Sequence, residues 1–340
     1  MILTYKIKHG RDFSVELSKA RQVAEYALKY GQSSSSQVKH IGLKSAIANQ
    51  ILRKYGRNKK IKKVSKVNLI VPGQSVKNDL KISTLTIPCL TLVLPYQFSG
   101  FTKVNQVEVS KEYAFVSVTV PGNKQIQPTA WIGVDLNATG HCCVASNPTT
   151  GKVLKLGKKA YHTHKKYKNQ RKRLQKKNKL KMIKKIKNRE SRVVRDLNHK
   201  ISRKVVDNAL KNNAGIVLED LSGVRNTKKQ AKSFRYSLHS WSFYQLGSFI
   251  EYKAKLLGVP VVKIDPAYTS QQCSRCGLLG NRNKKRFECP ACGHIENADV
   301  NASFVIGLRH QGILQMPEER DSGMGSTDTP QKATAQGCRP

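Results

Sequence analysis

The sequence predicts a mixed α/β protein built from two successive domains, and three observations carry that prediction. Through residues 1–128 apolar residues alternate in short strand-like runs around one helical stretch. From about 129 the pattern changes to three strands followed by helix, strand, helix, strand, helix. Two CxxC pairs interrupt this second pattern between its last strand and its last helix.

In the first domain, Met1 to Lys8 reads as a strand, and helical patterns follow near 13–30 and 36–55. Tyr30-Gly31-Gln32 followed by Ser33 through Ser36 supplies a turn and a capping-type start for the second helix. Alternating segments near 66–72, 83–95 and 112–120 complete a strand-rich module whose helical insertion spans about 13–55. Lys54 through Lys66 is heavily basic and faces phosphate or solvent.

The second domain begins with the apolar run Trp131 to Asp135, turn chemistry at Asn137 through Gly140, and a meander completed by His141–Ser146 and Lys152–Leu156. A long helical region follows, with 23 Lys and Arg between Lys152 and Lys204 against only Glu190 and Asp196. Leu197, Ile201, Val205, Val206 and Leu210 form an apolar stripe at helical spacing on its second half, so that half packs on something. Leu174, Leu180, Ile183 and Ile186 sit amid the charge of its first half. Ala214–Glu219 is a short buried strand, His239–Leu257 an amphipathic helix, Val259–Ile264 another strand, and Ala298–Leu308 the closing helix. From 311 to 340 the composition is that of a disordered tail.

Composition narrows the partner. A chain of 340 residues with 39% hydrophobic content builds real cores, and 62 Lys+Arg against 21 Asp+Glu, a formal +41, calls for a polyanion. Nucleic acid is the natural one. No apolar run approaches the roughly 18 residues of a spanning helix, and the N-terminus lacks a signal-peptide pattern, so an intracellular protein with no membrane partner is expected. An ordinary charge run is a solvated face; here the near absence of compensating acids makes phosphate contact the better reading for Lys165, Lys168, Arg171, Lys172, Arg173, Lys176, Lys177, Lys184, Arg189 and Arg192.

Cys273, Cys276, Cys289 and Cys292 have the spacing C-x₂-C-x₁₂-C-x₂-C, two tight knuckles of thiolates suited to tetrahedral Zn²⁺, and Gly277 and Gly293 follow each pair where the knuckle backbone turns. Four sulfurs close the coordination sphere, so this zinc is structural; His294 is then a partly exposed loop residue. Cys89, Cys142, Cys143 and Cys338 form no disulfide framework, and adjacent Cys142 and Cys143 read as small apolar strand residues. Asp135 and Glu219 each end an apolar strand, and Asp299 opens the last helix. One such acid is usually a turn or cap residue; three in this order suit divalent-metal phosphodiester cleavage, in which carboxylates hold two Mg²⁺ about 3.5–4 Å apart.

That order of elements and acids resembles the ribonuclease H fold. Gly133-Val134-Asp135-Leu136-Asn137, Ile216-Val217-Leu218-Glu219-Asp220-Leu221 and Asn297-Ala298-Asp299-Val300-Asn301-Ala302 resemble the three RuvC-type motifs of transposon-encoded TnpB nucleases. Thr269-Ser270-Gln271-Gln272-Cys273-Ser274-Arg275-Cys276-Gly277 is similar to that family's zinc-ribbon entry, and His199-Lys200-Ile201-Ser202 to its segment before the second motif. The resemblance covers roughly 129–310 and is fainter over 1–128.

The resemblance implies an RNA-guided DNA endonuclease that pairs a guide RNA with double-stranded target DNA beside a short protein-read motif. It implies an RNase H-like (RuvC) domain over 129–310 with a zinc ribbon at about 266–297, and a wedge-like N-terminal β-barrel over 1–128 that holds guide RNA. It assigns Asp135, Glu219 and Asp299 to catalytic Mg²⁺, and brings Arg286 toward the scissile phosphate. The implied setting is the prokaryotic cytoplasm at the nucleoid, as a monomer or homodimer on one guide RNA. A compact type V CRISPR effector, a cleavage-deficient RNA-guided repressor and a DNA-joining transposase are the alternatives; retention of all three acids argues against the repressor. Tyr161, Tyr167, Phe234, Tyr236, Trp241 and Tyr244 lie among basic residues and either stack on bases or fill the core.

Overall fold

In the computed structural model, residues 1–31, 34–58, 61–221 and 243–317 are described, and the chain divides into two compact units, Met1–Asn123 and Lys124 onward. No helix among the described residues is long and apolar enough to cross a membrane.

The first unit contains two open antiparallel sheets. One has the order β1 (Ile2–Lys8), β7 (Tyr113–Thr119), β6 (Lys103–Val109), β2 (Leu69–Pro72); the other is β3 (Lys77–Asp79), β4 (Thr84–Ile87), β5 (Leu92–Pro95). The wedge-like barrel expected here is not closed among the described residues, because no ladder joins the two sheets. Pro72 lacks an N–H and the 3-10 turn Gly73–Ser75 leads the chain out of the ladder at β2. Helix α1 (Ser14–Tyr30) buries Ala20, Val23, Ala24 and Ala27, and these small residues let α2 (Ser45–Gly56) approach with Ile47, Ile51 and Leu52. The single helix expected over 36–55 is split: Ser35–Ile41 is a 3-10 helix, ended by Gly42 at φ +70°. At its start the Ser34 hydroxyl accepts from the Ser36 N–H, while Ser33 lies outside the described residues.

The second unit is built on a five-stranded mixed sheet of order β10 (Val153–Leu156), β9 (Cys143–Ser146), β8 (Ala130–Leu136), β11 (Ala214–Glu219), β12 (Val261–Ile264). The first three strands form the antiparallel meander; β11 and β12 run parallel to β8 after helical crossovers. Strand alternation sorts the side chains to two faces. Ile132 and Val134 of β8 and Ala214, Ile216 and Leu218 of β11 join Ile201, Val205, Leu246 and Ile250 in one core, beneath α4 (Leu180–Lys211) and α5 (Phe243–Leu257). The other face receives α6 (Ala298–His310) so closely that a Cβ on Gly133 would lie 2.1 Å from the Ser303 carbonyl. The Ser146 and Ser303 hydroxyls are hydrogen-bonded at 2.5 Å across that contact.

The long basic region is a helical hairpin of α3 (Lys158–Lys176) and α4, broken at 177–179 where Asn178 takes φ +50°. Past α6 the chain folds back, and the Gln315 carbonyl accepts from Gln272 Nε2 at 2.8 Å. Most of the tail expected over 311–340, namely 318–340, lies outside the described residues.

Candidate active site and metal centre

Because Asp135 follows Gly133 by two on β8, and Glu219 follows Gly215 and Val217 on β11, both carboxylates belong to the face that receives α6. The parallel ladder pairs Leu218 with Val134, so the next residues, Glu219 and Asp135, stand side by side at the strand ends. Asp299 occupies the first turn of α6, where the Asn297 side chain caps the helix and the helix dipole favours negative charge. Asp135 is 7% exposed and Asp299 3%. Burial, then the like charges of Glu219 and Asp299, push the Asp135 carboxyl up to about 8; an amide hydrogen bond from Asn137 at 2.6 Å opposes them. Burial also raises Glu219, opposed by a hydrogen bond from the Thr269 hydroxyl at 2.5 Å and by the charges of Arg282 and Arg309.

Two cations bond Asp299 directly. Arg282 Nη2 donates to Asp299 Oδ1 at 3.3 Å and Lys285 Nζ to Asp299 Oδ2 at 2.6 Å. The sequence reading missed both and named Arg286 instead. On β14 (Arg286–Glu288) only Phe287 is buried, and Arg286 points outward to Glu288 Oε2 at 3.2 Å. Nothing in the sequence reports which basic residues of Arg282 to Arg286 face inward, since that depends on where the hairpin turns.

The ribbon is a three-stranded sheet of β13 (Asn281–Asn283), β14 and β15 (Ile295–Asn297), and β15 runs straight into α6. The sulfurs of Cys273, Cys276, Cys289 and Cys292 all lie within 4.8 Å of one another, with the 273–292 and 276–289 pairs at 3.6 and 3.5 Å. A tetrahedron of about 2.3 Å zinc–sulfur bonds has edges of about 3.8 Å, so the donor set fits zinc. Gly277 and Gly293 take φ of +77° and +67°, the left-handed turn expected of them, and their N–H groups donate to Cys273 and Cys289 carbonyls. His294 is buried, not a partly exposed loop residue, because it packs at a tilt against Phe287. Burial raises the Cys142 thiol to about 11 and also raises the Cys143 thiol, which keeps both neutral and apolar in character.

On the helical hairpin, Lys165, Lys168, Lys172, Arg173, Lys176, Lys177, Lys184, Arg189 and Arg192 are exposed. Arg171 is half-buried and ion-paired with Glu190 of α4, which also bonds His164 at 2.7 Å. Tyr167 is buried, Tyr244 is 72% exposed, and Phe234, Tyr236 and Trp241 lie outside the described residues.

Comparison with known proteins bears on this arrangement. The family profile described as Cas12f1-like, TNB domain matches residues 243–306, the stretch that carries α5, the ribbon and Asp299. The chain is 32% identical over 237 residues to the TnpB-like protein MJ0751 of Methanocaldococcus jannaschii, covering 65% of this chain and 84% of that protein. It is 43% identical over 115 residues to the CRISPR-associated endodeoxyribonuclease Cas12f1 of Sulfoacidibacillus thermotolerans, over 33% of this chain and 26% of that one. In fold it is similar to the cryo-EM structure of a Cas12f1-sgRNA-target DNA complex, with a TM-score of 0.59 at 18% identity, covering 87% of this chain and 82% of that chain.

Proposed function

The chain belongs to the family of TnpB-like proteins, and from that premise we propose that it is an RNA-guided DNA endonuclease that hydrolyses target DNA beside a short target-adjacent motif. The observation that carries the proposal is the grouping of Asp135, Glu219 and Asp299, from two neighbouring strand ends and one helix start, on a single face of the sheet. Asp135 and Asp299 are buried and Glu219 half-buried, and burial, followed by the like charges of Glu219 and Asp299, raises the Asp135 carboxyl. Hard oxygen donors of this kind fit Mg²⁺, and Asp135, Glu219 and Asp299 are the residues that would hold it. When bound, Mg²⁺ supplies activation of the attacking water and neutralisation of the leaving oxygen.

The remaining roles follow from the chain's own residues. Thr269 and Asn137 orient the Glu219 and Asp135 carboxylates, and Arg282 places positive charge where a scissile phosphate would lie. In this reading residues 129–310 form the RuvC-like nuclease domain with its zinc ribbon at about 266–297, and 1–128 the wedge and recognition module. The exposed cations of α3 and α4 follow the phosphates of guide RNA and DNA, as backbone geometry and charge do in RNA-guided recognition.

A compact type V effector is a second reading, supported by the 43% identity to Cas12f1. The experiment is to co-purify the chain with RNA from its own locus and challenge it with a DNA library. Guide-directed cutting that needs Mg²⁺ and is lost in Asp135→Ala is the expected result; binding without cutting by the unmodified chain would overturn it in favour of the repressor. RNA matching a CRISPR repeat rather than a transposon end would select the second reading.

A further inference from the structure

The ribbon hairpin turns on Lys284 and Lys285, with Asn283 paired to Arg286 across it. Lys284 has φ +53°, a left-handed conformation that a lysine adopts at a cost and that proteins keep where the placement of a neighbour matters. The neighbour is Lys285. Its stem passes over the β8–β9 turn, where a Cβ on Gly140 would lie 3.7 Å from Lys285 Cε. Its ammonium lies 2.6 Å from Asp299 Oδ2 and 3.5 Å from Asn137 Oδ1, and the Asn137 amide nitrogen in turn donates to Asp135 Oδ2 at 2.6 Å. Arg282 of the same hairpin takes Asp299 Oδ1, so both oxygens of a carboxylate with 4% side-chain exposure are held by ribbon cations.

Those are the oxygens that the proposed function assigns to a divalent cation. Among the described residues only the four thiols gather within 4.8 Å of one another; the three carboxylates do not. A cation bound closely to Asp299 would stand a few ångströms from the ammonium in a half-buried site, where repulsion between like charges is large. We propose that Lys285 is a built-in counter-ion for Asp299 that a divalent cation must displace, so that the ribbon hairpin and the metal compete for the helix α6 carboxylate. The displaced ammonium stays at the hairpin tip, beside the acids, and its next partner is a phosphate oxygen of the substrate. Nucleic acid and metal therefore favour each other's binding, as linkage requires when each relieves the same contact.

This inference rests on the metal-dependent nuclease reading, and calorimetry separates the two without any cleavage assay. Zinc-loaded full-length chain is titrated with Mn²⁺ as wild type, Lys285→Met, Lys285→Arg and Asp299→Asn. The expected result is affinity tighter by about tenfold in Lys285→Met, near wild type in Lys285→Arg, and lost in Asp299→Asn. Lys285→Gln, which keeps a donor for Asn137, gives the same readout if the methionine variant does not fold. Wild-type or weaker affinity in the neutral variants overturns the counter-ion role alone. Absence of any Asp299-dependent Mn²⁺ binding in both wild type and Lys285→Met overturns it together with the nuclease reading.

Discussion

The Thr269 hydroxyl donates to Glu219 Oε1, which joins the loop entering the zinc ribbon to the acid that ends β11. Thr269 is 3% exposed and its backbone N–H donates to the Pro266 carbonyl at 3.3 Å, so its position is held by the backbone of that loop. A partner that orients a ligating carboxylate typically matters by 10- to 100-fold. Single-turnover cleavage by Thr269→Val is expected to slow by about tenfold or more at unchanged zinc content, with Thr269→Ser near wild type. A valine variant that cuts at the wild-type rate would remove Thr269 from the site.

Asp135 makes the metal-free chain's stability depend on pH in a defined direction. Its folded value, about 8, stands above the ordinary 3.8 chiefly because of burial, so between these values the unfolded chain binds fewer protons than the folded one. Stability from this group is whole below about 3.8 and is lost as pH rises through about 8. Asp135→Asn removes the buried charge, so its melting temperature should exceed that of wild type by a margin that widens from pH 5 to pH 8. Added Mg²⁺ should narrow the margin by stabilising wild type alone. A constant margin across this range counts against a buried, charge-crowded carboxylate.

Asp135 and Glu219 were legible because each closes an apolar run, and Asp299 because it opens a helix; strand parity then dictates that Asp135 shares a face with Gly133 and Glu219 one with Gly215. Elements whose patterns are broken locally were not legible. Strand β6 escaped because a register shift between Val104 and Gln106 interrupts its alternation, leaving Val104, Val107 and Val109 inward at uneven spacing. The α3–α4 turn escaped because Lys177, Asn178 and Lys179 carry the same charge pattern as the helices, and only the left-handed Asn178 marks the break. Arg282 and Lys285 depend on the hairpin turn and on a helix that begins at residue 298, a relationship that no local pattern encodes.

Zinc removal is expected to unfold the ribbon and disarm the acids together. The ribbon's own buried cluster is Cys273, Phe287, Cys289 and Ala298, far too small a core to hold three short strands. Cys289→Ser should lose stoichiometric zinc, expose 266–297 to protease and abolish cleavage, because β15 sets the start of α6 and hence Asp299. Retained cleavage in zinc-free protein would contradict that coupling.

Glu190 is the acid on which the α3–α4 hairpin closes, accepting from Arg171 and His164. Burial raises its pKa, but the His164 and Arg171 hydrogen bonds outweigh it and leave the carboxyl below its ordinary 4.5. A depressed folded value stabilises above about 4.5 and fades as pH falls through the lower folded value, so the contribution is complete at neutral pH. Glu190→Gln at pH 7 should cost about 2 kcal/mol locally, since two charge-assisted bonds lose their acceptor charge amid a surplus of cations. Amide exchange in α3 should quicken by about 10-fold or more in the free protein and recover when RNA is bound, because phosphates supply the missing negative charge. Exchange as slow as wild type in free Glu190→Gln would assign closure of the hairpin to apolar contacts alone.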